Sequence, residues 1–335
     1  MPFVTGNAHL VHHTFDQAFS QHNCVELLDN MDFIESLKVC KGIFVLSNHL
    51  KVKMEKELML KNITVPVFSF VHPTESNIKQ WQYDFFLENK DKQLINIGAW
   101  LRNIFFFYYL TLPDEYTFSY KINFFCNGKI KDNIRKVCLK GGYMDNYFPS
   151  TDFTKDVAEF LRLEENNQFP FDIPNASRNI VASSTSTIVR NISDNVSDPI
   201  VNNWYKHFYD YISNTVNSVD IISQLSNEEY DDLLTKNIVF INLVDASAVN
   251  TIIECIVRCT PIVVNDHPAV VDMLGKYYPL YYQTDNLYNM NKQIESLLVN
   301  TENIKNANKY LKKLDKSKYT IQYFTNQLTD IINGL

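Results

Sequence analysis

The sequence predicts an α/β protein of two domains, each built on a parallel sheet, with helices at the C-terminal end. Three observations carry that prediction. Short apolar runs rich in β-branched residues alternate with helix-periodic segments, the pattern of parallel strands joined by right-handed crossovers. The alternation comes in two series, separated by a polar and acidic break at Pro73–Asn89. The stretch "VFINLVDASAVNTIIECIVRCTPIVVN", Val239–Asn265, reads as a complete strand–helix–strand unit. With 335 residues the chain can bury two cores of ordinary size.

In the first series the strands are "HLVHH" (His9–His13), "GIFVLS" (Gly42–Ser47) and "VPVFSFVH" (Val65–His72). Helical patterns at Phe33–Cys40 and Met54–Leu60 lead into the second and third. The second series opens with "QLINIGAW" (Gln93–Trp100), a strand running into a glycine turn, followed by the helix Arg102–Leu110. "KINFFC" (Lys121–Cys126) and "VDIISQL" (Val219–Leu225) are further strands, and Asn227–Leu234 is a short acidic helix. Between them, the Ser- and Asn-rich segment Phe171–Pro199 reads as a long loop or insertion. In the closing unit, Val239–Val244 is a strand, Thr251–Cys259 a helix, Thr260-Pro261 its stop and Ile262–Val264 a second strand. Helical patterns follow from Asn291 onward, including Thr325–Ile332. The expected domains are residues 1–88 and 89–290, with 291–335 as terminal helices.

Composition narrows the function. A formal net charge of −7 with no dense basic stripe argues against a nucleic-acid partner or an anionic membrane surface. The Lys305–Lys318 cluster is diluted by Asn, Leu and Tyr and fits a solvated helix face. Six scattered cysteines contain no C-x-x-C pair, so neither zinc nor a disulfide framework is indicated and a reducing, cytoplasmic setting is expected. The most apolar window, from Leu94, carries Asn96, Arg102 and Asn103, so no membrane span is expected. No G-x-G-x-x-G follows any expected strand, which weakens a dinucleotide-binding reading.

In α/β sheets ligands collect at the carboxyl ends of strands, where Asp245 and Asn265 both lie. Glu254 stands in the early turns of the following helix; an ordinary alternative is an i,i+4 pair with Arg258. Ser247, Asn250 and Thr251 flank the opening of that helix, where free N–H groups can hold an anion or the side chains can simply cap. Gly98 allows a close backbone approach. Arg102 offers a fixed positive charge, unless it pairs with a core acid. Lys140 in "CLKGG" is a second cation, or an exposed lysine. "HHTFD" places His12, His13 and Asp16 at a strand end, as a general base and its partner or as strand-terminal hydrogen-bonding groups. No third ligand with metal spacing accompanies the paired histidines, and no metal is expected.

Taken together, "IECIVRCTPIVVN", "LINIGAWLRN", "FVLSNHLK" and "VPVFSFVHPTE" resemble the GT-B glycosyltransferases. More narrowly, "HHTFDQAFSQHN", "IGAWLRN", "LKGGYMDNYFP" and "DASAVNTIIECI" are similar to uncharacterised glycosyltransferase-like proteins of large DNA viruses. The resemblance implies two Rossmann-like domains: an abbreviated acceptor-side domain, then a donor domain binding a UDP- or GDP-type nucleotide diphosphate sugar. It implies that Glu254 holds the ribose. Asp245 stands near the family's first acid, although Asp replaces Glu and the spacing is one residue longer than E-x7-E. Gly98, Arg102 and Lys140 fall to the diphosphate. No bound cofactor is implied and, with no Asp-x-Asp motif, no metal. The implied function is hexose transfer to a glycan, protein or small acceptor. The rival is a catalytically silent GT-B-like module of a larger polypeptide.

Overall fold

A computed structural model describes residues 7–15, 23–75, 77–98, 102, 110, 116–121, 219–222, 225–243, 245–284 and 287–334. Asp16, Lys140, most of the expected helix after Arg102 and the segment Phe171–Pro199 lie outside the described residues.

The first sheet holds three parallel strands in the order β1 (Asn7–Val11), β2 (Cys40–Val45), β3 (Val67–Ser69). Its core is Val11, Ile43, Val45 and Val67, covered by Leu28, Leu37, Leu50, Met54 and Leu58 from the helices. The helix expected over Phe33–Cys40 is α2 (Met31–Leu37), which starts and ends earlier, and a further short helix, α1 (Cys24–Asp29), precedes it. The reason is local. Asn30 ends the first and accepts the Phe33 N–H to start the second. Helix α3 (Asn48–Leu60) begins well before Met54 because Ser47 accepts the Leu50 N–H and caps it there.

Beyond β3 the chain crosses to a second core. Trp81 is fully buried, packs at a tilt against Phe86 of α4 (Tyr83–Glu88) and donates its indole N–H to the Asn237 carbonyl at 2.9 Å. The stretch expected as a mere break is therefore an anchored connection.

Among the described residues the second sheet has six parallel strands: β4 (Lys92–Ile97), β5 (Tyr116–Lys121), β6 (Val219–Ile222), β7 (Ile238–Ile241), β8 (Ile262–Asn265) and β9 (Tyr281–Tyr282). Their spatial order is β6-β5-β4-β7-β8-β9. Strand order thus reverses between β4 and β7, the position at which α/β sheets open a crevice for ligands. β5 covers residues for which no strand was expected; of the strand expected at Lys121–Cys126, all but Lys121 lies outside the described residues, and β7 ends at Ile241, before the expected Val244. Helix α5 (Asn227–Lys236) carries a full capping box between Ser226 and Glu229. Helix α6 (Asn250–Arg258) ends where Cys259 turns left-handed (φ 57°) ahead of Thr260-Pro261. Helix α7 (Pro268–Leu274) and β9 had no expectation; they are too short to leave a periodic signal.

The terminal helices are α8 (Leu287–Val299), α9 (Thr301–Lys313) and α10 (Ile321–Gly334). α10 returns to the first sheet, where Gln327 donates to the Ser69 carbonyl and Phe324 packs 5.3 Å from Phe70. No helix among the described residues is long and apolar enough to cross a membrane.

Candidate donor-binding cleft

The site forms at the switch point. Gly98 follows β4 with φ +76°, a conformation open to glycine and strained for other residues. The Arg102 side chain lies against it: a β-carbon on Gly98 would come within 2.9 Å of the guanidinium. Opposite, the Arg102 backbone bridges Leu243 just past β7, and Nη2 donates to the Thr251 hydroxyl at 3.0 Å. Thr251 is in the first turn of α6. The N-cap of α6 is Val249, whose side chain accepts nothing, so the Ser, Asn and Thr residues nearby do not cap this helix. Its first N–H groups face the region of Arg102 as an anion-attracting end. Ser247 is buried with no hydrogen-bond partner for its hydroxyl, and Asn250 is exposed.

Glu254 lies one turn further along α6 and accepts the Tyr230 hydroxyl at 2.7 Å. Arg258 does not form the side-chain pair that simple helix spacing allowed. Its guanidinium binds Asp231 at 2.6 and 2.9 Å and meets Glu254 only at the backbone carbonyl, 3.5 Å away. Burial pushes the Glu254 pKa upward, against the Tyr230 hydrogen bond and the charges of Arg258 and Arg102. The carboxylate is thus half-buried and held by a neutral phenol, with Arg102 as a cationic neighbour.

Asp245 lies beyond β7 with its side chain 1 % exposed. Oδ1 accepts the Ala246 N–H at 2.7 Å and lies 3.4 Å from His267 Nε2 and 3.8 Å from His49 Nε2. His267 caps α7 by accepting the Ala269 N–H at Nδ1, so its ring proton sits on Nε2, toward Asp245. Burial would raise the Asp245 pKa. The hydrogen bond from His267, the neighbouring Thr14 hydroxyl, the Lys53 charge and the Ala246 N–H outweigh it and hold the value at about 2. Asp245 therefore stays ionised across the physiological range. Asn265 is not a site residue: its amide binds the N–H and carbonyl of Leu243 at 2.8 and 2.9 Å, tying the two strand ends together.

His12 is exposed and His13 half-buried in the loop after β1, and the next residue, Thr14, is the one beside Asp245. The structure thus brings Gly98, Arg102, Thr251 and Glu254 together at one helix end, and carries the His12–Thr14 loop to Asp245. Sequence reasoning missed Thr14, His49, Tyr230 and His267. His49 and His267 each follow a strand at its carboxyl end, and that positional rule was the available signal.

No family model and no curated protein matches this chain. Solved structures do. HepE of Anabaena, crystallised with UDP and glucose, superposes with a TM-score of 0.54 and 7% identity, over 97% of this chain and 71% of that one. UDP-forming α,α-trehalose-phosphate synthases of Burkholderia vietnamiensis and Burkholderia xenovorans give 0.53 and 0.51, each at 8% identity over 98% of this chain. Those two matches span 67% and 69% of the synthases. At such identities the likeness is one of fold, and the fold is that of the GT-B glycosyltransferases.

Proposed function

We propose that this protein moves a hexose from a UDP- or GDP-type nucleotide sugar onto a glycan, protein or small acceptor, without a bound metal. One observation carries the reading: the Arg102 guanidinium is fixed beside the uncapped N-terminus of α6, at the strand-order reversal between β4 and β7. A fixed cation and a helix end aimed at one point suit a diphosphate, and the negative charge that grows on it as the sugar leaves. In this reading Glu254 accepts the ribose hydroxyls and Asp245 the sugar. His12 or His13, with Asp16, takes the acceptor proton, and Lys140 adds a second charge at the diphosphate. The shared fold of HepE, bound to UDP and glucose, is in keeping with this.

Glu254→Gln is the direct test of the donor side. It keeps an acceptor for the Tyr230 hydroxyl but removes the charge that polarises ribose hydroxyls. Affinity for UDP or GDP is expected to fall at least about tenfold, since hydrogen bonds to charged groups contribute about 1.5–3 kcal/mol. The melting temperature should not fall, because Glu254 pays for burial in its ionised form. Unchanged affinity by calorimetry would remove Glu254 from the donor site.

Among the described residues the first sheet has three strands, and that small sheet favours one other reading, a module that binds without turnover. The acceptor side decides between them. His13→Ala and Asp16→Asn are expected to cut transfer about 10²–10⁴-fold, the usual contribution of a positioned base, while nucleotide affinity changes little. A protein that binds nucleotide sugar yet neither transfers nor hydrolyses it would favour the module.

A further inference from the structure

We propose that His49, Asp245 and His267 form a binding site for a divalent transition-metal ion, zinc best matching the donors, and that the ion clamps the two halves of the protein together. The three donors come from both halves. His49 stands in the first turn of α3 above the first sheet, Asp245 after β7, and His267 at the start of α7. Their ligand atoms all lie within 4.8 Å of one another. Donors about 2.0–2.2 Å from a tetrahedral ion stand roughly 3.4 Å apart. The Asp245–His267 separation of 3.4 Å already has that value, and the Asp245–His49 separation of 3.8 Å needs a contraction of a few tenths of an ångström.

The local chemistry fits. Two imidazoles and one carboxylate, with side chains 14%, 11% and 1% exposed, make a borderline-soft, largely dry donor set that leaves room for a fourth ligand. His49 Nε2 is buried without a hydrogen-bond partner, a destabilising arrangement that a bound cation would relieve. The two rings meet edge to face, with centroids 5.0 Å apart, so both can direct Nε2 at one point. Two features oppose binding. The Lys53 ammonium is close enough to influence both His49 and Asp245, and Asp272 only partly counters it at His49. To ligate through Nε2, His267 must also move its proton to Nδ1 and give up the Ala269 hydrogen bond. One neutral hydrogen bond is a small loss beside three metal–ligand bonds.

An ion held here would occupy Asp245 and fix the cleft. On the transferase reading above it would therefore inhibit rather than activate; metal uptake itself does not depend on that reading.

The test is calorimetric titration of the metal-free 335-residue chain with zinc chloride, without nucleotide. The expected result is one zinc per chain with a Kd of about 1 μM or below, and a raised melting temperature. His49→Ala should weaken this at least about 100-fold. His267→Asn should do the same while still offering an acceptor to the Ala269 N–H, so helix α7 stays capped and loss of fold does not confuse the result. Equal zinc uptake by the parent and both variants would place the metal on other side chains and overturn the proposal. So would affinity no tighter than about 1 mM in the parent. Where turnover of a nucleotide sugar is measurable, zinc should suppress it in the parent and not in His49→Ala. Where it is not, the transferase reading fails and the zinc titration still stands.

Discussion

Arg102→Ala is expected to lower turnover of a nucleotide sugar about 10²–10³-fold, the usual loss when one preorganised group facing a developing oxyanion is removed. The guanidinium is held on two sides, by the Gly98 backbone and by the Thr251 hydroxyl at 3.0 Å. It therefore needs no reorganisation as charge grows on the leaving diphosphate. The effect should fall mainly on kcat, because that charge is greater in the transition state than in the bound substrate. Arg102→Lys should recover only part of the rate, since a flexible point charge lacks the planar fork that reaches a phosphate and Thr251 together. Both measurements should be made with EDTA present, and the parent should lose nothing to the chelator. Activity abolished by EDTA and restored by manganese would assign the leaving-group charge to a metal and remove Arg102 from that role.

Trp81→Ala should be the most damaging single change to stability away from the cleft, at about 3–5 kcal/mol. Trp81 is among the largest fully buried side chains, and it pins the connection between the two cores. Its ring packs 5.2 Å from Phe86, its indole N–H binds the Asn237 carbonyl at 2.9 Å, and its backbone N–H binds the Arg258 carbonyl. The indole hydrogen bond accounts for about 1 kcal/mol of the total, so lost packing and the remaining cavity dominate. Trp81→Phe, which keeps most of the apolar volume, should recover more than half of the loss. Chemical denaturation measures both. If Trp81→Ala cost less than about 1 kcal/mol, the connection would fold independently of the second core.

The cleft also has a pH signature. Asp245, with its pKa depressed to about 2, adds stability that is fully present above the ordinary carboxyl value near 4 and is lost as pH falls toward 2. Glu254 acts in the opposite sense. Its raised pKa means that protonation favours the fold, so its destabilising share grows as pH rises past the ordinary carboxyl range. The two carboxylates differ because Asp245 receives several donors, whereas the main support of Glu254 is a single phenol.

What the sequence determined by itself is much of the strand-and-helix order and the position of one half of the candidate site. Buried parallel strands such as Val239–Ile241 and Ile262–Val264 must be continuously apolar, and that pattern is readable without a structure. Gly98, Arg102, Thr251 and Glu254 were legible because each sits at a fixed offset from such a strand. Tertiary structure alone decided what those groups touch. Glu254 and Arg258 have good helical spacing, yet Arg258 turns to Asp231 on a neighbouring helix, where one carboxylate oxygen accepts both its Nε–H and an Nη2–H. The helices at Met31 and Asn48, by contrast, start at local caps, where Asn30 and Ser47 accept a backbone N–H, a signal that periodicity by itself does not carry. His49 and His267 are 218 positions apart in number, from 49 to 267, and no local pattern relates them. They meet around Asp245 because α3 of the first half packs against α7 of the second, and packing between distant segments is written in no short stretch of sequence.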